Sequence, residues 1–191
     1  MRGFISNCNL LKLGLNLTRV RLPCLEYNCN GISCERESTN MIFESITEES
    51  LEHAVAIINS NPSYNILENG DTLRSIKEVR KELLNSKTNS YLIMKNKQPI
   101  GIVDFLENNP KDNCPWIGLF MIHGELQSLG YGKKAYAAFE EKLIQNHYKK
   151  LRLGVLHNNE QAKVFWKSVG FSFYGNSKWE GRVVDCFEKK L

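Results

Sequence analysis

Residues 127–134 of the chain read QSLGYGKK and lie between two contrasting stretches. The apolar run PWIGLFMI at 115–122 predicts a strand, and AYAAFEEKLIQNHY at 135–148 predicts a helix. The start of a helix exposes backbone N–H groups without partners, together with the positive end of the helix dipole. Glycines at such a start let an anion approach the main chain closely. The stretch therefore predicts a site for a phosphate-bearing ligand.

Length and composition fit one globular domain. The chain has 191 residues, of which 42% are hydrophobic and 24% are charged. This is enough for one full core and too little for two ordinary domains. The net charge of +4 includes no basic block, so composition does not favour a nucleic-acid partner. No stretch approaches the roughly 18 apolar residues of a membrane span. We therefore expect a cytoplasmic protein without nucleic-acid or membrane partners.

Residues 1–40 differ from the rest of the chain. They contain four of the six cysteines and no acidic residue before Glu26. Their C-x4-C-x4-C spacing lacks the C-x2-C pair typical of zinc sites, and a chain of this length needs no disulfide framework, so we expect no metal. Three interpretations stay open: a basic targeting segment, an extra arm, or upstream sequence before a natural start at Met41. We favour the third, with an N-terminal extension at 1–40 and the functional domain at 41–191.

Hydrophobic periodicity predicts strands and helices from Met41 onward. MIFESI (41–46) alternates like a half-buried strand, and Thr47 offers a helix N-cap. This helix should end near Asn61-Pro62, and SNPSYNILENGD (60–71) should be a loop. The later elements, in order, are a helix from Asp71 to Asn85 with Leu73 and Ile76 in its buried stripe, a hairpin turning at Lys97-Gln98, a central strand WIGLFMI, a helix after QSLGYGKK with Ile144 facing inward, a strand LRLGVL, a helix NNEQAKVFWKSV and a closing pair of strands.

The G-Y-G sequence at 130–132 is a weak signal by itself. A dinucleotide-binding fingerprint needs a third glycine and an acidic residue about 20 positions later, and the third glycine is missing. The P-loop pattern also fails, because no G-K-S/T follows a four-residue gap. A nucleotide-binding turn and a tight turn without any ligand both stay open at this point.

The wider context of the turn resembles the GNAT family of N-acetyltransferases. The family's pyrophosphate-binding signature Q/R-x-x-G-x-G/A is matched by Gln127, Gly130 and Gly132. Its next segment, roughly N-x-x-A-x-x-F-Y-x-x-x-G-F, is matched at Asn159, Ala162, Phe165, Gly170 and Phe171. The resemblance covers residues 41–191 and implies an α/β (α+β) fold in which helices flank a mixed, mostly antiparallel sheet.

The resemblance also implies acetyl-CoA as co-substrate, bound in a gap beside the apolar strand. The pyrophosphate would be cradled at the helix start by the backbone amides of Leu129, Gly130, Tyr131, Gly132 and Lys133. Lys133 or Lys134 would add charge-assisted contacts to phosphate. The pantetheine arm would pair with the backbone of Met121 and Ile122 like an added strand, and an amide near Ile122 would polarise the thioester carbonyl. Further cofactor contacts would come from Gln127, Asn159, Ala162 and Phe165.

One position departs from the family pattern. Trp166 stands where the family usually has a tyrosine that can protonate the leaving thiolate. An indole N–H is far too weak an acid for that role, so we interpret Trp166 as a packing residue, with the proton supplied by solvent or another group. The incoming amine must also lose a proton. The candidate bases are Asp104 and Glu107, on the strand before the central one, and His123, directly after the central strand.

The acceptor is the least defined part of the predicted site. We predict direct transfer of acetyl to a primary amine. A small cationic amine is favoured over a protein N-terminus or lysine, because the domain is compact and acidic residues are available. Tyr64, Glu68 and Trp179 are the residues expected beside it. The alternative is a non-catalytic acyl-CoA-binding regulatory module, and the protein could act as a monomer or a homodimer.

Overall fold

The computed structural model describes residues 41–191. The predicted extension at 1–40, with its four cysteines, lies outside this range. Cys114 and Cys186 form no disulfide within residues 41–191. In this described part, no helix is long and apolar enough to cross a membrane, and no group of three or more His, Cys, Asp or Glu side chains could hold a metal ion.

Seven strands and five α-helices are present within residues 41–191, with a short 3₁₀ turn at Gly124–Leu126 before the fourth helix. The strands are β1 Ile42–Ser45, β2 Asn89–Lys95, β3 Gln98–Asn109, β4 Cys114–Ile122, β5 Lys150–Leu156, β6 Ser172–Trp179 and β7 Arg182–Lys190. The helices are α1 Leu51–Asn59, α2 Pro62–Asn69, α3 Ile76–Leu83, α4 Tyr131–Gln145 and α5 Glu160–Ser168.

The strands form one sheet in the order β1-β2-β3-β4-β5-β7-β6. β4 and β5 are parallel, and every other adjacent pair is antiparallel. β4 lies at the centre and is apolar toward both faces, with Ile117 in one apolar cluster and Leu119 in the other. A strand buried on both sides is what the run WIGLFMI predicts. The mixed, mostly antiparallel sheet with flanking helices confirms the predicted fold class.

Helices cover the two faces of the sheet and create two apolar clusters. On one face, α1 and α3 bury Leu51, Ile58 and Val79 against β2, β3 and β4. On the other face, α4 and α5 bury Phe139 and Trp166 against the sheet. Fully burying an aliphatic or phenylalanine side chain stabilises a fold by about 1.5–3 kcal/mol. The two clusters therefore fix the positions of the helices that border the site described below.

The first two helices differ from the predictions. Thr47 is not the N-cap of α1, because the helix begins after Ser50, whose hydroxyl accepts from the Thr47 N–H at 2.9 Å in the preceding turn. The predicted loop at 60–71 is mostly the helix α2. α1 ends at Asn59, near the predicted Asn61-Pro62. Pro62 then begins a new helix, since its missing N–H would be unpaired at the first helical position anyway.

The third helix begins later than the pattern predicts. Ser75 and Glu78 form a capping box, so α3 starts at Ile76 and not at Asp71. The predicted buried stripe is wrong at its N-terminal end, where Leu73 and Ile76 are 62% and 43% exposed. Both residues lie at or before the first helical position, where no neighbouring turn of α3 carries them toward the sheet.

Two smaller predictions are also wrong. The β2–β3 hairpin turns at Asn96-Lys97, one position before the predicted Lys97-Gln98, and both turn residues have positive φ angles of 50° and 63°. Such a pair is typical of the two-residue turns that match the twist of a hairpin. Ile144 is 49% exposed, whereas Leu143 is buried. Adjacent helical residues differ by about 100° around the axis, and Leu143 occupies the inward position.

Candidate active site

The parallel strands β4 and β5 separate soon after they begin to pair. Their register contains two pairs, which end with Ile117 opposite Leu153. The next residue, Gly118, is a bulge, because the β3–β4 register skips it. From this bulge to Ile122, β4 continues beside β3 alone. A gap therefore opens between β4 and β5, closed at Gly118 and open toward Ile122.

The backbone of Ile122 faces this gap. The His123 N–H donates to the Ile100 carbonyl of β3 at 2.9 Å, and successive residues of an antiparallel pair alternate in the side to which their backbone groups point. The Ile122 N–H and carbonyl are thus directed away from β3. The same alternation turns the Met121 backbone toward β3. Ile122 is therefore the member of the predicted pair whose amide points into the gap.

Helix α4 begins at the open end of the gap, and no side chain of the described residues caps it. Gly130 is its N-cap, with a φ of 82°, and the first helical hydrogen bond runs from the Lys134 N–H to the Gly130 carbonyl at 3.3 Å. In the described part of the chain, nothing accepts from the N–H groups of Tyr131, Gly132 or Lys133. These donors and the helix dipole converge on one place, where an anion would be stabilised.

The two glycines of the signature have different structural roles. A Cβ atom on Gly130 would meet no described residue within 4 Å, so this side of the turn is open to a ligand. The positive φ also favours glycine there. A Cβ atom on Gly132 would lie 3.2 Å from Cε2 of Phe165 and 3.8 Å from Cγ1 of Ile122. Gly132 thus lets the first turn of α4 approach β4 and α5 closely.

The side chain of Gln127 is bound inside the protein. Its Nε2 donates to the Ile122 carbonyl at 3.2 Å and to Oδ1 of Asn61. Asn61 Nδ2 donates in turn to the carbonyls of Ile57 at 2.9 Å and Ile122 at 3.2 Å. The two amides fasten the loop before α4 and the end of α1 to the end of β4. Asn61 was not predicted, because its partner on β4 lies 61 residues away.

Helix α5 adds an aromatic surface beside the gap. Asn159 is its N-cap, and Oδ1 of Asn159 accepts from the Ala162 N–H at 3.0 Å. The ring of Phe165 stacks on that of Phe120 of β4, with centroids 6.0 Å apart. Trp166 is 6% exposed and packs at a steep angle against Phe120, with centroids 5.5 Å apart. The indole is part of the core, in agreement with its interpretation as a packing residue.

Positive side chains gather near the start of α4. Lys95, at the end of β2, donates from Nζ to the Tyr131 hydroxyl at 3.1 Å and lies 4.6 Å from the centroid of the same ring. Lys133 and Lys134 are exposed in the first turn of the helix. Lys95 was not predicted, since it comes from a hairpin far from the signature in the chain. The three ammonium groups add to the positive potential of the uncapped helix start.

Asp104 is a buried carboxylate at the closed end of the gap. It is 7% exposed and accepts from the Ser90 hydroxyl at 2.7 Å. A Cβ atom on Gly118 would lie 2.6 Å from its Oδ2, so the carboxylate rests directly over the bulge. Burial raises the pKa of Asp104, while hydrogen bonds from the hydroxyls of Ser90 and Thr88 act in the opposite direction. In the described part of the chain, no basic side chain forms an ion pair with it.

The other two candidate bases lie elsewhere. Glu107 is exposed and accepts from Nδ2 of Asn89 at 2.8 Å. Phe105, two residues earlier on β3, packs its ring against that of Tyr148 with centroids 5.6 Å apart, so Glu107 lies near the C-terminal end of α4. The 15 residues of that helix span about 22 Å, so Glu107 is remote from the uncapped helix start. His123 directly follows β4, half-buried at the open end of the gap.

The residues expected beside the acceptor belong to two separate parts of the fold. The Tyr64 hydroxyl donates to Oε1 of Glu68 at 2.9 Å, and Arg74 lies 3.4 Å from Oε2 of the same carboxylate. Burial raises the pKa of both Tyr64 and Glu68. Both side chains are therefore engaged within the α2–α3 region. Trp179 lies at the end of the β6–β7 hairpin, 45% exposed, with the Arg182 guanidinium 5.8 Å from its ring.

A second polar cluster was not predicted. Asp185 of β7 is 6% exposed and accepts from Nζ of Lys163 and from Nδ2 of Asn176, both at 2.7 Å. Nδ1 of His157 lies 2.8 Å from the same carboxylate. These partners keep the pKa of Asp185 below its usual value despite its burial. The cluster ties α5 to β5, β6 and β7, and so fixes the far side of the gap.

The arrangement fits an enzyme that holds a phosphate-bearing donor along a cleft between strands. Residues 55–171 match the model of the acetyltransferase (GNAT) family, and the chain belongs to this family. It is accordingly an acetyl-CoA-dependent N-acyltransferase, as the resemblance predicts. No curated protein has a significant sequence match to the chain.

Solved acetyltransferase structures share the fold. An acetyltransferase from Thermus thermophilus is 21% identical with a TM-score of 0.68, over 80% of this chain and 97% of that one. A Salmonella typhimurium acetyltransferase that modifies the N-terminal serine of ribosomal protein L7/L12 is 14% identical, with a TM-score of 0.66 over 81% and 96%. The aminoglycoside acetyltransferase AAC(6')-Ib in complex with coenzyme A is 16% identical, with a TM-score of 0.65 over 79% and 95%.

Proposed function

We propose that the chain transfers acetyl from acetyl-CoA directly to a primary amine, and that the acceptor is a small cationic amine. One observation carries the proposal. The gap between β4 and β5 has at its open end N–H groups of α4 that no residue of 41–191 pairs with, and at its closed end the Asp104 carboxylate over Gly118. A donor with phosphates and a long arm fits the first feature, and an amine that must lose a proton fits the second.

The start of α4 would hold the pyrophosphate. The N–H groups of Tyr131, Gly132 and Lys133 lack partners in the described chain, and the space over Gly130 is open. Exposed lysines in the first helical turn, together with Lys95, supply compensating charge. The same place explains why α4 has no side-chain cap, since bound phosphate oxygens would accept from its first N–H groups.

The gap itself would orient the reacting groups. Acetyl-CoA supplies an activated thioester, which an amine can attack without a covalent enzyme intermediate. The Ile122 N–H, at the open end beside the start of α4, would donate to the arm of the donor. It would not reach the thioester carbonyl, which would lie about 13 Å further along the gap, beside Asp104. Phe120 and Phe165 would exclude water from the arm of the donor. Alignment of the amine with the thioester contributes much of the rate in such direct transfers.

Asp104 is the base that we favour among the three predicted. Its burial raises its pKa, and a higher pKa makes a carboxylate a stronger base for an ammonium proton. Asp104 is also buried at the closed end of the gap, whereas Glu107, three residues further along β3, is exposed. His123, beside the open end, stays a second possibility as base or as donor to the leaving thiolate.

The charge of Asp104 supports the choice of acceptor. A buried carboxylate without an ion-pair partner is stabilised by a bound cation, and no described basic side chain pairs with Asp104. One structural neighbour is an aminoglycoside acetyltransferase, and aminoglycosides are small polycationic amines. Another acts on the N-terminal serine of a ribosomal protein, which makes a protein N-terminus the competing acceptor.

Release of CoA from acetyl-CoA would test the proposal. The purified chain is incubated with a panel of polyamines, amino acids, aminoglycosides and N-terminal peptides, and products are identified by mass spectrometry. We expect acetylated small cations with wild-type protein and a large loss of rate in Asp104→Asn, with Glu107→Gln as the matched control that keeps its rate. Acetylation of peptides alone would reject the proposed acceptor. Binding of acetyl-CoA without release of CoA for any amine would favour a non-catalytic module.

A further inference from the structure

The Asp104 carboxylate is held between two neighbouring strands. Its Oδ1 accepts from the Ser90 hydroxyl of β2 at 2.7 Å, and Ser90 is the residue directly opposite Asp104 in the β2–β3 register. Its Oδ2 is the atom that a Cβ on Gly118 of β4 would approach to 2.6 Å. Ser90 and Asp104 are both 7% exposed. One oxygen is therefore fixed by a hydroxyl, and the other is directed at the bulge.

The helices that cover this face of the sheet are apolar toward it. The residues that α1 and α3 bury against this face of the sheet are Leu51, Ala54, Ile57, Ile58, Val79 and Leu83. The polar side-chain groups that act on Asp104 are the hydroxyls of Ser90 and Thr88. An ionised carboxylate in apolar surroundings is costly unless hydrogen bonds satisfy it. The Ser90 hydroxyl is thus the main group that stabilises the charged form of this carboxylate.

We propose that Ser90 is a positioning residue for acetyl transfer, whose hydroxyl orients Asp104 with Oδ2 toward the bulge and keeps the carboxylate ionised. This inference rests on the proposed function, in which Asp104 is the base. The ammonium form of the acceptor gives one proton to Asp104. Its nitrogen then forms the new C–N bond as the thioester C–S bond breaks. The second proton from nitrogen neutralises the CoA thiolate, and Asp104 releases its proton to water. Ser90 exchanges no proton in these steps.

Three variants separate orientation from simple packing. Ser90→Ala removes the hydroxyl, Ser90→Thr keeps it on a residue that suits a strand, and Thr88→Val removes the second hydroxyl, which acts less strongly on Asp104. We expect Ser90→Ala to lower the limiting kcat/KM by about tenfold, the effect of one hydrogen bond to a charged group. We also expect the acid limb of the pH profile of kcat/KM to move to higher pH in this variant. Ser90→Thr should restore both values, and Thr88→Val should change them less.

A measurement without turnover keeps this inference distinct from the proposed function. The side-chain carboxyl of Asp104, assigned by its loss in Asp104→Asn, is titrated by ¹³C NMR in protein labelled at aspartate. We expect Ser90→Ala to raise the pKa of Asp104, and unchanged stabilisation by acetyl-CoA to show that the fold is intact. An unaltered titration would overturn the role of Ser90 while the proposed function stands. A raised pKa without movement of the acid limb would overturn Asp104 as the base, and the positioning role with it.

Discussion

Gly118→Ala places a methyl group against the proposed base and tests its location directly. The added Cβ would lie 2.6 Å from Oδ2 of Asp104, and ordinary contact begins at 3.4 Å. The carboxylate must therefore move by about 0.8 Å, the difference between these two distances. Displacement of a catalytic group by about 1 Å can cost on the order of 100-fold in rate. We expect kcat to fall by about this factor, while the dissociation constant for acetyl-CoA changes little.

Gly154→Ala is the matched control for this substitution. Gly154 lies on β5, across the strand junction, and is exposed like Gly118. A Cβ on Gly154 would have its nearest neighbours in Val184 and Trp116 at 3.7–3.8 Å, which is ordinary contact. The rate of CoA release with the best acceptor is measured for both variants, and acetyl-CoA binding is measured by calorimetry. Full activity in Gly118→Ala, or equal losses in the two variants, would refute the position that we give to Asp104.

Two further predictions concern stability. Burial raises the pKa of Asp104 in the folded protein. The folded state therefore binds the carboxyl proton of Asp104 more tightly than the unfolded chain does. Stability falls as the pH rises from about 3.9, the pKa in the unfolded chain, through the higher pKa in the folded state. In urea unfolding, Asp104→Asn should lose this pH dependence and be more stable than wild type at pH 7. A variant that is less stable and keeps the pH dependence would show that the buried charge of Asp104 does not destabilise the fold. Trp166 is 6% exposed within an aromatic cluster, so Trp166→Ala should cost about 3–5 kcal/mol of unfolding free energy. Val164→Ala, at a position 67% exposed, should change that free energy by no more than about 0.5 kcal/mol, and comparable losses in both would argue against a core role for the indole.

Local signals made much of the fold predictable. QSLGYGKK combines a strand end, a glycine turn and a helix start within a few residues, so its place at the N-terminus of α4 follows from short-range chemistry. The element that escaped prediction was α2. Its buried residues are Asn65 and Glu68, both polar, and so the segment shows no apolar stripe. Proline is common both after the end of a helix and at the first position of one, so Pro62 alone does not predict which of the two occurs.

The parts of the site that depend on strand register could not be predicted. Asp104 was one of three candidate bases, and only the β3–β4 bulge shows that its carboxylate lies over Gly118. The tie from Asn61 to β4 and the cluster around Asp185 join residues that are 61 and 28 positions apart. No periodicity or motif encodes such contacts, because they arise from the packing of separate elements. The partners of the predicted acceptor residues also depend on packing, since no motif indicates that Glu68 pairs with Arg74.

Thermal unfolding of a matched pair of glycine variants shows whether acetyl-CoA binds at the start of α4. Gly130 and Gly70 both have a φ of 82°, and a Cβ on either meets no described residue within 4 Å. Glutamate at each position therefore brings the same backbone strain and the same charge. Gly70 ends α2, whereas Gly130 begins α4.

Acetyl-CoA at 100 times its dissociation constant should stabilise wild-type protein by about 2.7 kcal/mol, or about 5–10 °C in the unfolding midpoint. Gly70→Glu should keep this rise, although its midpoint without ligand is lower. Gly130→Glu should lose it, because the side chain fills the space over the cradle and repels phosphate. An equal rise in all three proteins would contradict a pyrophosphate site at QSLGYGKK.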